Sequence, residues 1–294
     1  MTRLKADISL ILVTLGWGIS YLLTDICLGE MEPLTLNALR FSGAFVIAFL
    51  MAPKKLAGIS GTTIRFSALI GAALFVVYIG ATYGIMYTSL SNAGFLCGLT
   101  VVITPVLGFF LFHKKPEKKI ITVLFMALVG IALLTMGENM RPALGDILCI
   151  MCAFAYAVDL LITEKAVNKQ DVNAYQLGVC QLGFTGIFMT VSAFIFEEPH
   201  LPAAQGVWAS LLFLTVFCTG VAFIVQAVAQ QYTDASRVGI IFALEPVFAG
   251  IVAFVFAGEV LRGKAYIGAV LLILGILYME TDVKSLLGRK RPHH

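Results

Sequence analysis

The sequence predicts an all-α membrane protein of ten transmembrane helices, built as two inverted five-helix repeats over residues 1–140 and 141–294. Three observations carry that prediction. Of the 294 residues, 60% are hydrophobic and 13% charged, which is too little polar surface for a soluble domain of this size. Ten apolar runs are each about the length a helix needs to cross a hydrocarbon core of about 30 Å. Finally, residues 95–112 (FLCGLTVVITPVLGFFLF) and 238–256 (VGIIFALEPVFAGIVAFVF) read as copies of one another, each with one internal proline, Pro105 and Pro246.

The first run, 6–29, follows Arg3 and Lys5 as a signal peptide would. It is of spanning length, however, and no small-x-small cleavage site closes it, so it is expected to stay in the protein. It carries Trp17 and Gly18. The second run, 34–52, opens after Pro33 and holds Arg40 about two turns from its start. In the third, 64–88, Tyr83 and Tyr87 share a face by i, i+4 spacing. The fourth, 93–112, contains Pro105, and the fifth, 119–137, contains Gly130. The sixth, 144–164, carries Tyr156 and Asp159, and the seventh covers 174–196. Gln226 and Gln230 lie one turn apart in the eighth, 207–230. The ninth, 236–257, places Glu245 near its middle, directly before Pro246, and the tenth is 263–281. The short connections leave no room for a soluble domain.

Sliding the chain on itself by 139 positions sets Asp7 on Asp146, Trp17 on Tyr156 and Thr24 on Thr163. Near the two prolines the offset grows to 141, the drift that loop insertions give. Five spans per unit force the second unit upside down relative to the first. Inverted repeats with interrupted helices in matching places point to a secondary transporter with its site near the bilayer midplane.

Orientation follows from the cations, which are held on the cytoplasmic side. With the N-terminus inside, sixteen of the twenty lysines and arginines fall in cytoplasmic segments. Arg141, Arg262 and Lys264 fall outside, and Arg40 lies within a span. A multi-pass protein of the cytoplasmic membrane with both termini cytoplasmic is therefore expected. The net charge of +3 resides in membrane-flanking loops and calls for no nucleic acid. All six cysteines fall in or at the ends of spans, and Cys149-x-x-Cys152 has no second pair, so they read as packing residues rather than metal ligands or disulfides.

Trp17-Gly18, Pro33 with Arg40-Phe41, Gly98-Leu99-Thr100 leading to Pro105, and Leu244-Glu245-Pro246-Val247-Phe248-Ala249 followed by Gly258-Glu259 form a recognisable set, closed by Gly268 and Gly275. Across nearly its full length the chain resembles the EamA branch of the drug/metabolite transporter superfamily. The resemblance implies ten helices, a five-plus-five inverted repeat, alternating access, and export or import of small metabolites.

Ionisable groups inside spans cost roughly 2.5–3.5 kcal/mol on insertion scales, so each needs a partner, a wet cavity or a job. Arg40, Asp159 and Glu245 are the three. Pro246 removes a helical hydrogen bond beside Glu245, setting a carboxyl group next to a bend and a free carbonyl, both of which prefer a polar cavity to lipid. Arg40 can pair with a carboxylate inside the bundle, receive a substrate carboxylate or snorkel outwards. Asp159 reads as a gating or pairing residue. Tyr83, Tyr87 and Gln226 join Arg40 and Glu245 as candidate substrate contacts, with Trp17, Pro105, Tyr156, Asp159 and Pro246 as candidates for the cavity wall or gate.

With no G-x-x-x-x-G-K-[ST] loop, transport would run on a gradient or by exchange, with Glu245 the candidate carrier if protons are the coupling ion. The favoured solute is an amino acid or a related amine or amphipathic metabolite, and no cofactor or metal is expected. Because the two units complete an inverted pair, a monomer suffices. A membrane-embedded enzyme acting on a lipid-linked substrate is the alternative. It would need a nucleophile and base clustered near one interface, and the four histidines all lie outside span centres.

Overall fold

The computed structural model describes residues 1–88, 96–113, 118–135, 144–257 and 263–280, and all regular structure among them is helical. The repeat boundary at 140, the cations Arg141 and Arg262, Gly258-Glu259 and the two C-terminal histidines lie outside the described residues. In chain order the helices are α1 Arg3–Leu28, α2 Pro33–Met51, α3 Gly61–Tyr87, α4 Thr100–Phe112, α5 Lys118–Thr135, α6 Leu144–Val167 and α7 Ala174–Phe196. They continue as α8 Gln205–Phe213, a π-helical segment Leu214–Val221, α9 Ala222–Ala229, α10 Ala235–Phe242, α11 Glu245–Ala257 and α12 Gly263–Glu280.

Among the described residues seven stretches are long and apolar enough to cross a membrane: α1, α2, α3, α6, α7, the continuous Gln205–Ala229 and the bent Ala235–Phe256. Leu96–Leu111 and Tyr266–Tyr278 are shorter apolar helices. The outer faces are apolar as well. Phe110, Phe194 and Phe256 are 69%, 73% and 74% exposed, a surface that suits lipid and would aggregate in water.

Helix starts follow from local chemistry. Ser60 accepts from the Thr63 amide at 3.0 Å, Asn173 from those of Tyr175 and Gln176 at 2.9 and 3.2 Å, and Asp234 from that of Arg237 at 2.9 Å, each satisfying amides that the first turn leaves free. Pro33 opens α2 without needing a donor. The next two amides of α2, Leu34 and Thr35, donate to the two carboxylate oxygens of Glu197 at 2.8 and 2.7 Å, so the end of α7 clamps the start of α2.

The closest helix pairs are α3 with α6, α2 with α7, and α5 with α12. Small residues permit the first. A Cβ on Gly80 would sit 2.6 Å from the Leu148 carbonyl oxygen, and one on Gly145 would sit 2.6 Å from that of Gly84. In the same way Gly18 seats α1 directly on α11, where a Cβ would come within 2.5 Å of Phe248 Cβ.

The two proline-bearing segments differ, against the expectation that both are interrupted at matching places. Pro246 is the second residue of α11, and the chain between α10 and α11 turns at Ala243 and Leu244, whose amides close short bonds to Ile240 and Ile241. Without an N–H, Pro246 offers the Phe242 carbonyl no bond, and the helix restarts there. Pro105 instead sits inside α4, and the irregular turn falls earlier, at Leu99.

His200, between α7 and α8, is fully exposed and has both ring nitrogens against carbonyl oxygens: Nδ1 on Glu198 at 3.1 Å and Nε2 on Glu30 at 2.8 Å. Only the doubly protonated ring can donate to both. The Glu198 carbonyl first, then the Glu30 carbonyl, with help from the Glu32 and Glu30 charges, raise its pKa above the ordinary 6.5. A raised pKa means that the contribution to stability is complete below about pH 6.5 and is lost as pH rises through the folded-state value. Proton NMR titration of His200 is expected to show that elevation, and His200→Asn should remove the matching pH dependence of thermal stability.

Candidate functional site

A cavity of about 120 Å³ lies in the centre of the bundle, in the half remote from the N-terminus of α1. Both halves of the chain line it. From the first come Trp17, Ser20, Tyr21 and Thr24 of α1, Arg40 of α2, the Val77, Tyr78, Ala81, Thr82 and Ile85 face of α3, and the turn at Cys97 and Gly98 with Thr100 and Val101. Cys152 and Tyr156 of α6, Phe223 of α9, Gly239 and Phe242 of α10, Ala243, and Glu245 with Pro246 come from the second. The α10–α11 break therefore delivers its carboxyl group to the cavity, where Tyr21 faces it.

Arg40 is 3% exposed. Its Nε donates to Thr219 Oγ1, its Nη2 to the Cys218 carbonyl at 3.3 Å and to the Tyr78 hydroxyl at 3.4 Å, and its guanidinium carbon lies 4.9 Å from the centre of the Tyr78 ring. Among the described residues no carboxylate forms an ion pair with it. Of the three readings the sequence left open, the internal ion pair finds no acid and outward snorkelling is excluded by burial. What remains is a cation fixed by neutral acceptors and presented to a cavity.

The π segment supplies two of those acceptors, Thr219 and Cys218. Its wide turn lets the Cys218 carbonyl accept both Arg40 Nη2 and Trp17 Nε1, the latter at 2.9 Å. Around Trp17 an aromatic floor closes the cavity, with ring centroids 4.7 Å away at Phe242, 5.6 Å at Phe223 and 5.9 Å at Tyr156. Trp17 and Tyr156, equivalent positions of the two units by sequence, thus touch each other.

Other candidates lie elsewhere. Tyr83 and Tyr87 occupy a different face of α3 from Tyr78: the Tyr83 hydroxyl donates to Glu197 at 3.0 Å and Tyr87 is 51% exposed, so neither lines the cavity. Gln226 stands behind the wall, accepting from the Tyr156 hydroxyl at 3.0 Å and donating to Asp159 at 3.1 Å. Pro105 and Asp159 are buried without lining the cavity. Sequence reasoning missed Tyr21, Ser20 and Thr24, although their 17, 20/21, 24 spacing with Trp17 is a helical polar stripe in an apolar run. Tyr78 and Thr219 left no such mark.

The sequence model of the EamA-like transporter family matches the chain twice, over residues 4–136 and 143–281. An uncharacterized transporter of Archaeoglobus fulgidus is 28% identical over 281 residues, covering 96% of this chain and 87% of its own. A probable amino-acid metabolite efflux pump of Salmonella typhimurium is 24% identical, covering 90% of this chain and 91% of its own. A solved crystal structure at 18% identity superposes with a TM-score of 0.78 over 97% of this chain and 99% of that one, a likeness of fold. With apolar spans, a central cavity and matches to both halves, this multi-pass membrane protein belongs to the EamA-like transporter family.

Proposed function

We propose that the protein is a secondary active transporter that exports or exchanges an amino acid or a related amine by alternating access across the cytoplasmic membrane. The observation that carries this reading is that one cavity holds a buried guanidinium with no acid bound to it and, on the opposite repeat, a carboxyl group. A zwitterion satisfies both. Its carboxylate takes Arg40 through Nη1, since Nε and Nη2 are already held by Thr219, Cys218 and Tyr78, and its ammonium takes Glu245, while Trp17, Tyr78 and Tyr156 cover its apolar part. The name of the Salmonella relative agrees in solute class.

Ten crossings in two inverted units, 1–140 and 141–294, are part of the same proposal. The two matches of the family model support it. So do the helix pairs, which exchange when the units are swapped. The α3–α6 pair is mirrored by α1 against α8 and α9, α4–α6 by α1 against α10 and α11, and α3–α7 by α2 against the π segment. The pairs α2–α7, α5–α12 and α4–α10 map onto themselves. With both termini cytoplasmic, the cavity occupies the outer half, above a cytoplasmic end fastened by the buried Asp7–Arg237 pair.

In proteoliposomes the protein should catalyse saturable counterflow of a labelled amino acid or amine, competed by unlabelled solute, with the dependence on a pH gradient measured in parallel. Absence of uptake and exchange across a broad metabolite panel, with turnover of a lipid-linked substrate by the same preparation, would replace this reading with the enzyme.

A further inference from the structure

Behind the cavity wall lies a second polar cluster that substrate binding does not use. Asp159 is fully buried, and Thr163, Gln226 and Gln230 are each 1% exposed. Gln226 Nε2 donates to Asp159 Oδ2 at 3.1 Å and reaches Gln230 Oε1 at 3.4 Å, while Gln230 Nε2 donates to the Leu160 carbonyl at 2.9 Å. Two oxygens are left over. Asp159 Oδ1 and Thr163 Oγ1, one turn apart on the same face of α6, have no hydrogen-bond partner.

Among the described residues no cation pairs with the carboxylate. Among the helices packed on α6, α9 offers Asp159 only the two amides, and α4 contains no ionisable residue. On α10, Arg237 is held by Asp7 at 3.0 Å. The ionisable residues of α3 (Arg65, Tyr78, Tyr83 and Tyr87) and of α7 (Tyr175 and Cys180) make no bond to Asp159, and on α6 itself Glu164 accepts from the Ala235 amide at 3.1 Å while Asp146, Cys149, Cys152, Tyr156 and Lys165 make no bond to Asp159. An isolated buried carboxylate with an empty lone-pair site is costly, and binding one cation removes the cost. A metal ion would want several oxygens, and among the described residues no cluster of metal-binding side chains exists. A proton needs only Oδ1.

We infer that Asp159 is a proton-binding site distinct from the substrate cavity, and that Tyr156 and Gln226 couple the two. The Tyr156 ring lines the cavity and its hydroxyl donates to Gln226 Oε1, while the same amide donates from Nε2 to Asp159. The amide's orientation is thereby fixed from both ends, so a solute that moves Tyr156 disturbs the amide that solvates Asp159. Protonation forms an O–H bond on Oδ1 as a hydronium ion gives up a proton and becomes water, and release reverses both changes. This rests on the transporter reading for its purpose and on the buried cluster for its existence, so the two are tested separately.

Infrared difference spectra of the reconstituted protein, stepped from about pH 5 to about pH 9 without solute, test the site itself. A protonated-carboxyl band that titrates in the unmodified protein, disappears in Asp159→Asn and persists in Glu245→Gln is expected. Gln226→Met, which removes the amide that donates to the Asp159 carboxylate and roughly keeps the side-chain length, should raise that band's midpoint by about half a pH unit or more, providing a readout should the Asn variant fold poorly. Carboxyl bands unchanged by both substitutions would overturn the inference, as would a band abolished by adding sodium at fixed pH. With a transported solute in hand, counterflow by Tyr156→Phe should lose its dependence on pH while Asp159 still titrates; unaltered dependence would overturn the coupling.

Discussion

Arg40→Leu is expected to abolish solute-dependent thermal stabilisation and to lower the initial rate of counterflow by about 30-fold or more, the effect of losing a desolvated charge contact worth about 2–5 kcal/mol. The magnitude follows from the site. Arg40 is buried, its partners are a hydroxyl, a carbonyl and the Tyr78 ring, and substitution strands no counter-ion within the protein. Folding should therefore suffer less than binding. Arg40→Lys keeps the charge but loses the planar fork that spans Thr219, Cys218 and Tyr78, and should be intermediate, down by about 10-fold. Proteoliposome counterflow with melting temperatures in detergent gives both readouts. Equal loss of stability with and without solute, together with unchanged counterflow, would leave Arg40 a packing residue only.

The opposite balance is expected of Asp7. Its Oδ2 accepts from Arg237 Nε and Nη2 at 3.2 and 3.0 Å, with both residues almost entirely buried, and the pair ties α1 to α10 at the N-terminal end. Asp7→Ala withdraws that carboxylate from a buried guanidinium, a change that costs about 3–5 kcal/mol. Replacing both partners by apolar residues, Asp7→Leu with Arg237→Met, should recover most of the loss, since desolvating the pair offsets much of its attraction. A thermal double-mutant cycle measures it. Additive losses would mean that the two side chains act independently.

Among the described residues seven of the predicted spans reappear as stretches long and apolar enough to cross a membrane, readable because lipid demands long apolar runs, and their ends lie within a few residues of the predicted ones: α2 runs Pro33–Met51 against a predicted 34–52, and α7 Ala174–Phe196 against 174–196. Arg40, Glu245 and Pro246 were readable as well, because an ionisable or helix-breaking residue in such a run is anomalous without a cavity. The azimuth of a helix was not. In α3 both lipid and neighbouring helices are apolar, so the pattern does not say which tyrosines turn inward, and Tyr78 rather than Tyr83 or Tyr87 meets the cavity. Contacts between distant segments leave no local mark either, as with the Glu197 clamp on α2, made across more than 160 residues. Nor does proline alone locate a break: Pro246 sits at one, whereas Pro105 is absorbed within α4.

The π-helical turn at Leu214–Val221 sets a phase along its span. Each residue of a regular helix advances the azimuth by about 100°, so a π turn takes up one extra residue that would otherwise rotate everything downstream by that angle. Excising one residue there would restore an unbroken α-helix with Phe223 still against Trp17 and Gln226 still against Asp159, whereas winding the turn into α-helix with every residue kept would swing both away. Two chains differing by that residue would share their packing beyond the turn and differ at the acceptors, Thr219 and the Cys218 carbonyl, that the turn presents to Arg40.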